Sequence, residues 1–223
     1  MLNNVPRTVS GSAAGSVPKT KIAVLISGGG TNLQAIIDFA AAGKLASGEI
    51  ALVVSDKADA YGLERAKKAD IPTAVVLADK SLALPERRAK FESELKSVLR
   101  ENGIEMIVLA GFMRILSLDF VGGFKDRIIN VHPSLIPSFC GEGFYGLKVH
   151  EAALAYGVKV TGATVHFVNE VPDGGAIIYQ KAVEIKDGDT PEVLQKRVME
   201  EAEWKLLPAA AEYVANLIMG EKK

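Results

Sequence analysis

The length, composition and charge of the chain exclude several classes of protein. Its 223 residues suffice for one α/β domain. The 26 Lys and Arg residues against 27 Asp and Glu leave a formal net charge of −1, which gives no global attraction to nucleic acid or to an anionic membrane. Apolar residues make up 48% of the chain, which excludes wholesale disorder, and no apolar run reaches the roughly 18 residues of a membrane span.

Cys140 is the only cysteine, which excludes an internal disulfide and a cysteine-rich zinc site. A chain with so little cysteine fits a reducing compartment. We therefore expect a cytoplasmic protein. The charge balance and the short apolar runs predict no nucleic-acid partner and no membrane partner, and the expected state is a monomer or a homodimer.

The first 20 residues differ in composition from the rest. They are rich in Ser, Gly, Val and Pro, with no acidic residue and no sustained apolar stretch. They lack the apolar core of a secretory signal, and the single arginine, Arg7, is fewer than a transit peptide usually carries. We predict a disordered N-terminal extension over residues 1–20 and a single domain over residues 21–223.

From Lys21 onward, short apolar runs alternate with segments of helical periodicity. Residues 22–26 are continuously apolar and end in Ser27-Gly-Gly-Gly30, as expected of a strand buried on both faces of a sheet, and residues 31–42 follow with helical spacing. The same alternation predicts strands at 49–55, 73–77, 106–109 and 127–131 and helices at 61–69 and 85–101. It predicts an α/β fold with a Rossmann-like open, mostly parallel sheet and helices on both faces.

The pattern changes after Leu147. A helix predicted at 147–156 precedes two β-rich runs, 159–168 and 176–183, which a Gly-containing loop joins. These runs predict a hairpin-like addition to the sheet. A final helix is predicted at about 190–218, with Thr190 as its N-cap and Pro191 in its first turn.

The turn Ser27-Gly-Gly-Gly-Thr-Asn32 is the first candidate site. In open α/β sheets, ligands bind at the carboxyl ends of strands, and the glycines let backbone amides approach an anion beside the N-terminus of the next helix. Because the turn has neither the dinucleotide G-x-G-x-x-G spacing nor the Gly-Lys-Ser/Thr of a P-loop, a single phosphate monoester suits it better. A tight turn without a ligand is the alternative.

The strand that ends in Asn130-Val-His132-Pro133 is the second candidate. Residues two apart on a strand project from the same face, so the Asn130 amide and the His132 imidazole can converge on one ligand atom. An amide donor beside an imidazole suits a developing oxyanion, and the imidazole can supply a proton. A polar pair that bonds only to a loop is the alternative.

Asp173, in Val171-Pro-Asp-Gly-Gly175, is the third candidate. A carboxylate beside His132 would raise the imidazole pKa and hold its tautomer. Asp-Gly is also common turn chemistry, so a turn role for Asp173 is the alternative.

Other polar residues give weaker signals. His150 and His166 are predicted to have packing or surface roles, and no pair of histidines has metal-ligand spacing, so we expect no metal. Arg88 is most simply part of a solvated helix face, whereas Arg114 follows directly after a strand. Cys140 has no evident histidine partner, so no catalytic thiol is expected.

Four segments carry a resemblance to a known family: residues 21–36 (KIAVLISGGGTNLQAI), 109–116 (LAGFMRIL), 130–135 (NVHPSL) and 162–168 (GATVHFV). Together they resemble the phosphoribosylglycinamide formyltransferases, the folate-dependent enzymes of purine biosynthesis. The Asn-x-His-Pro-Ser-Leu motif is shared by the wider formyltransferase superfamily, and the glycine turn narrows the resemblance to this family. It runs from about Lys21 to the last helix.

The resemblance implies a formyltransferase fold and small-molecule substrates. A formyl group would pass from 10-formyltetrahydrofolate, the donor cosubstrate, to the amine of N1-(5-phosphoribosyl)glycinamide, giving formylglycinamide ribonucleotide and tetrahydrofolate in de novo purine (IMP) biosynthesis without a metal. It implies that Asn130 and His132 stabilise a tetrahedral oxyanion, that His132 donates a proton, and that Asp173 raises the His132 pKa and moves protons through water.

The resemblance also implies binding residues for each substrate. Gly30, Thr31 and Asn32 would hold the phosphate, and Glu203 the ribose hydroxyls. The folate pocket would contain Arg88, Met113, Arg114, Ile115, Leu116, Asn130, Asn169, Glu170, Val171, Pro172 and Asp173.

Two segments depart from the family pattern. Residues 140–146 (CGEGFYG) replace the shorter Pro-Gly loop of many relatives. Trp204 follows Glu203 where relatives often have His, and the helix before Glu203 is one residue longer.

Three other functions compete with this interpretation. Formyltetrahydrofolate deformylase has a similar catalytic trio but usually carries an N-terminal regulatory domain, which residues 1–20 are too short to form. Methionyl-tRNA formyltransferase would need a further C-terminal RNA-binding domain and a more basic surface. A non-catalytic nucleotide-binding module would need no particular trio.

Overall fold

One mixed sheet organises the part of the chain, residues 18–222, that the computed structural model describes. Its strands are β1 (Thr20–Ile26), β2 (Gly48–Ser55), β3 (Thr73–Val75), β4 (Met106–Leu109), β5 (Ile128–His132), β6 (Val160–Phe167) and β7 (Ile177–Glu184). They lie in the order β3-β2-β1-β4-β5-β6-β7. β1 to β5 pair in parallel, and β6 and β7 pair antiparallel. The predicted mostly parallel sheet with a hairpin-like addition is confirmed.

Helices cover both faces of this sheet. They are α1 (Thr31–Ala41), α2 (Tyr61–Lys68), α3 (Leu84–Glu101), α4 (Leu118–Gly122), α5 (Leu147–Tyr156), α6 (Pro191–Val198) and α7 (Trp204–Gly220). The alternation along β1 explains the two layers: Ile22 and Val24 belong to a core cluster with residues of α1 and α7, whereas Ala23 and Leu25 belong to a second cluster with residues of α3 and α4. The continuously apolar sequence of β1 follows from this burial on both sides.

The C-terminal helix differs from the prediction. Instead of one helix over 190–218, α6 passes into a π-helical segment, Met199–Glu203, and then into α7. A π-helical turn departs from the 3.6-residue period of an α-helix, and the apolar spacing of the sequence does not reveal it. Thr190 is the N-cap as predicted, and its hydroxyl accepts a hydrogen bond from the Val193 amide.

Shorter elements also differ. The prediction omitted α4, which begins after Ser117, because its five residues are too few to give a periodic signal. β3 ends at Val75, two residues before the predicted end. Thr20 already belongs to β1, where its buried Oγ1 donates to the Ala215 carbonyl at 2.8 Å. Of the extension predicted over residues 1–20, residues 1–17 lie outside the described part.

The strand order places a crevice at the carboxyl ends of the central strands. The sheet grows from β1 to β2 and β3 on one side and from β1 to β4 and β5 on the other, so the order reverses between β1 and β4. Connections that leave these two strands diverge, and ligands of open α/β sheets bind at such a switch point.

Candidate active site

A cleft of about 850 Å³ lies at this edge of the sheet. Its volume is within the range of roughly 300 to 1,000 Å³ that holds small ligands. Most of the predicted site residues line it: Asn32, Met113, Arg114, Ile115, Leu116, Asn130, His132, Asn169, Glu170, Val171, Pro172, Asp173 and Glu203. Gly30, Thr31 and Arg88 do not line it.

Asn130 and His132 occupy the end of β5, as predicted. β5 ends at His132 because Pro133 has no N–H to continue the ladder. The two side chains lie on one face, opposite His166 and Thr164 of β6. The Asn130 Nδ2 is 3.3 Å from His166 Nε2, and His132 Nε2 donates to the Phe139 carbonyl at 2.8 Å.

The loop after β6 brings Asp173 to His132. Asp173 Oδ2 lies 3.4 Å from His132 Nδ1 and accepts a hydrogen bond from the Gly141 amide at 2.9 Å. The backbone of Asp173 is left-handed, at φ 57°, a conformation that Asp tolerates better than most residues. Burial raises the pKa of Asp173, but the adjacent His166 ring, the hydrogen bond from the Gly141 amide and the charge of His132 outweigh it, so the pKa lies below its ordinary value.

The electrostatics of His132 differ from the expectation. The Asp173 charge raises the His132 pKa, as predicted, and the bond to the Phe139 carbonyl raises it further. Burial is the larger effect, because the ring is only 4% exposed, and the net pKa lies below the ordinary value. The predicted raising effect of the Asp173 charge is therefore present, but burial of the ring exceeds it.

His166 contacts the other site residues, although the sequence predicted only a packing or surface role for it. Its Nδ1 donates to the Phe167 carbonyl at 2.8 Å, which leaves Nε2 to accept from Asn130. Nε2 also lies 3.5 Å from Asp173 Oδ1. The antiparallel pairing of β5 and β6 causes these contacts, because it sets Thr164 and His166 opposite His132 and Asn130. A prediction of this register would have identified His166 as a site residue.

His150 also lines this cleft, although the sequence predicted only a packing or surface role for it. It lies on α5, is fully buried, and neither ring nitrogen has a hydrogen-bond partner within residues 18–222. Burial and the nearby His132 charge lower its pKa to about 4. His150 is therefore neutral at every pH near neutrality.

The glycine turn and the π-helical segment meet at one end of the cleft. Gly30 caps α1 with φ 71°, and Asn32 lies in the first turn of that helix. Asn32 Nδ2 donates to Glu203 Oε2 at 2.7 Å, and Thr31 Oγ1 lies 3.9 Å from Met199 Sδ. Burial raises the pKa of Glu203 to about 7, although the Asn32 bond opposes it.

The opposite end of the cleft has apolar walls. Met113 and Ile115, after β4, are 53% and 65% exposed, and Val171, in the loop after β6, is 54% exposed. Arg114 Nε is 2.8 Å from Asp56 Oδ2. Ser27 joins the two ends of the site, because its Oγ accepts from the Met113 amide at 2.9 Å.

Arg88 lies apart from the cleft. It is on α3, where its Nε donates to Glu92 Oε1 at 3.2 Å one turn further along the helix. Its role in folate binding remains a prediction.

Within residues 18–222, no group of three or more His, Cys, Asp or Glu side chains is arranged to hold a metal ion. Over the same described range, no helix combines the length and apolar character needed to cross a membrane.

Comparison with known proteins identifies the family. The formyl transferase family model matches residues 20–211. The chain belongs to the formyl transferase family. It is 43% identical over 188 residues to phosphoribosylglycinamide formyltransferase of Haemophilus influenzae, covering 84% of each chain.

Two further relatives extend this likeness. The crystal structure of glycinamide ribonucleotide transformylase 1 from Symbiobacterium toebii superposes with a TM-score of 0.80 at 42% identity, covering 89% of this chain and 88% of that one. The trifunctional purine biosynthetic protein adenosine-3 of Gallus gallus is 48% identical over 198 residues, which are 89% of this chain. The chain spans only 19% of the length of that relative.

Proposed function

We propose that the chain transfers a formyl group from 10-formyltetrahydrofolate to the amine of N1-(5-phosphoribosyl)glycinamide. The products are formylglycinamide ribonucleotide and tetrahydrofolate, in de novo purine (IMP) biosynthesis. The observation that carries the proposal is the arrangement at the end of β5: Asp173 lies beside His132, and Asn130 is on the same strand face, in a cleft that reaches the glycine turn. The names of the relatives support it.

The glycine turn would hold the substrate phosphate. The first N–H groups of α1 are unpaired within the helix and carry the positive end of its dipole. Gly30, Thr31 and Asn32 supply them. Glu203, buried beside Asn32, would accept hydrogen bonds from the ribose hydroxyls, which favours its ionised form.

The apolar end of the cleft would hold the folate. Met113, Ile115 and Leu116 on one side and Val171 and Pro172 on the other would offer apolar surface to a planar ring system. Arg114 contacts Asp56 through its Nε, and its remaining guanidinium N–H groups would bind a carboxylate of the folate tail.

The chemistry follows from the polar trio. Attack of the substrate amine on the formyl carbon places negative charge on the formyl oxygen. Asn130 donates one Nδ2 hydrogen to His166, and its second hydrogen remains for that oxygen. The attacking amine would release a proton, which water held by Asp173 would carry to His132, and the Asp173 carboxylate would stabilise the imidazolium that forms. His132 would then donate its proton to the folate nitrogen as the bond between that nitrogen and the formyl carbon breaks.

The loop after β5 has to move for this role. In the ligand-free structure the Nε2 hydrogen of His132 bonds to the Phe139 carbonyl, and Asp173 bonds to the Gly141 amide. We expect the substrates to displace these backbone groups. The charge that develops on the formyl oxygen would then raise the His132 pKa, which burial depresses in the free protein.

The test is to supply 10-formyltetrahydrofolate with and without glycinamide ribonucleotide and to follow tetrahydrofolate release. Release that requires the ribonucleotide supports transfer. Release without it would identify a deformylase, and no release in either case would identify a non-catalytic nucleotide-binding module. A cytoplasmic location and a monomeric or homodimeric state are further proposals that rest on the sequence.

A further inference from the structure

Helix α2 donates hydrogen bonds to the carbonyls of the glycine turn. The Gly62 amide donates to the Gly28 carbonyl at 3.0 Å. Arg65 Nε donates to the next carbonyl, that of Gly29, at 2.8 Å. The third carbonyl, of Gly30, accepts from the Gln34 amide of α1 at 2.9 Å. Three consecutive carbonyls of the turn are thus bound by the protein itself.

These bonds fix the direction of the amides that follow. In a trans peptide the N–H points opposite to the C=O of the same plane. A carbonyl held by α2 therefore directs the next N–H away from α2, and within residues 18–222 the N–H groups of Gly29, Gly30 and Thr31 have no acceptor.

The space around the turn has the same asymmetry. A Cβ added at Gly30 would lie 2.7 Å from the Gly62 Cα, so this side of the turn is packed against α2. A Cβ added at Gly28 or Gly29 would meet no atom within 4 Å. The turn is closed on the side of its carbonyls and open elsewhere.

Arg65 is itself held in place. Its Nη1 donates to Gln34 Oε1 at 3.1 Å, and its guanidinium lies 5.1 Å from the centre of the Tyr61 ring. The planar guanidinium donates to the turn and to α1 at once, which a lysine ammonium does not reproduce in the same geometry.

We infer that Arg65 is a positioning residue for the phosphate of the substrate: by fixing the Gly29 carbonyl, it turns the Gly30 amide toward the phosphate. The inference rests on the proposed function, which places the phosphate on this turn. Because Nε is bonded to the turn, Arg65 acts through the backbone, and its loss affects only a substrate that carries a phosphate.

The test compares Arg65→Met with Lys68→Met. Lys68 is a matched control, since it also lies on α2 beside Tyr61 and has no hydrogen bond to the turn. Steady-state kinetics would be measured with glycinamide ribonucleotide and with the dephosphorylated riboside. We expect Arg65→Met to raise the KM for the ribonucleotide roughly ten- to hundredfold, the loss typical of a bond to a charged group. The kcat, the KM for the formyl donor and the kinetics with the riboside should stay within about twofold of the wild type.

Several results would overturn the inference. Equal, small effects of Arg65→Met and Lys68→Met on the KM for the ribonucleotide would show that Arg65 contributes only a surface charge. A rise in KM for both the ribonucleotide and the riboside, with a lower melting temperature, would indicate a general structural role. If Arg65→Met does not fold, Arg65→Lys retains the charge and the alkyl stem, and we still expect its KM for the ribonucleotide to rise. A wild type that does not discriminate between ribonucleotide and riboside would instead refute the phosphate site, and with it the proposed function.

Discussion

Protonation of His150 should destabilise the fold in acid. Its side chain is fully buried, with no hydrogen-bond partner for either nitrogen in the described range. Its pKa is about 4, against 6.5 for the ordinary side chain. Because the folded pKa is the lower one, the unfolded chain binds a proton that the native state excludes. Stability is therefore lost as the pH falls from about 6.5 to about 4.

These two values set the size of the loss. Linkage gives about 2 kcal/mol at pH 5 and about 3 kcal/mol at the acid limit for a folded pKa near 4. Urea unfolding at pH 7.5 and pH 5.0 of the wild type, His150→Gln and His150→Leu would measure it. The intrinsic cost of each substitution cancels, because each protein is compared with itself at the two pH values. The decrease in unfolding free energy from pH 7.5 to pH 5.0 should be about 2 kcal/mol smaller in both variants than in the wild type. An equal decrease in all three proteins would show that protonation of His150 does not cause the acid loss of stability.

Three further predictions concern catalysis. Asn130→Ala should lower kcat roughly a hundredfold to a thousandfold, the usual loss for an oxyanion donor, and near wild-type turnover would refute that role. Asp173→Asn should give a large loss of kcat at an unchanged melting temperature and move the His132 limb of the pH–rate profile to lower pH, because the Asp173 charge raises the His132 pKa; an unmoved limb would disprove the coupling. Since the pKa of Glu203 is about 7, the wild-type KM for the ribonucleotide should fall as the pH rises through 7. The KM of Glu203→Gln should lack this fall, and parallel pH profiles of the two proteins would contradict the prediction.

Local patterns in the sequence predicted most of the fold. The strands β1 and β2 contain continuous apolar runs, because helices cover both faces of the sheet. Such a run can be recognised without knowing which strand pairs with it. The hairpin of β6 and β7 followed from two β-rich runs and a glycine loop. The π-helical segment was not predictable from periodicity.

The candidate site was predictable only in part. Asn130 and His132 follow from the two-residue period of one strand, so their shared face needs no tertiary information. The contact of His166 with Asn130 depends on which strand pairs with β5 and in which register, and the burial of His150 depends on how α5 packs. The net direction of the His132 pKa was not predictable, because it depends on burial, which the sequence does not reveal and which outweighs the charge of Asp173.

A crystal structure with glycinamide ribonucleotide and an unreactive analogue of 10-formyltetrahydrofolate would show whether both substrates bind as proposed. We expect the phosphate to bond to the amides of Gly30, Thr31 and Asn32. The carbonyl carbon of the analogue should lie within about 4 Å of the Asn130 amide, with the substrate amine roughly 3 to 3.5 Å from that carbon. Binding of either molecule elsewhere, or a carbonyl turned away from Asn130 and His132, would contradict it.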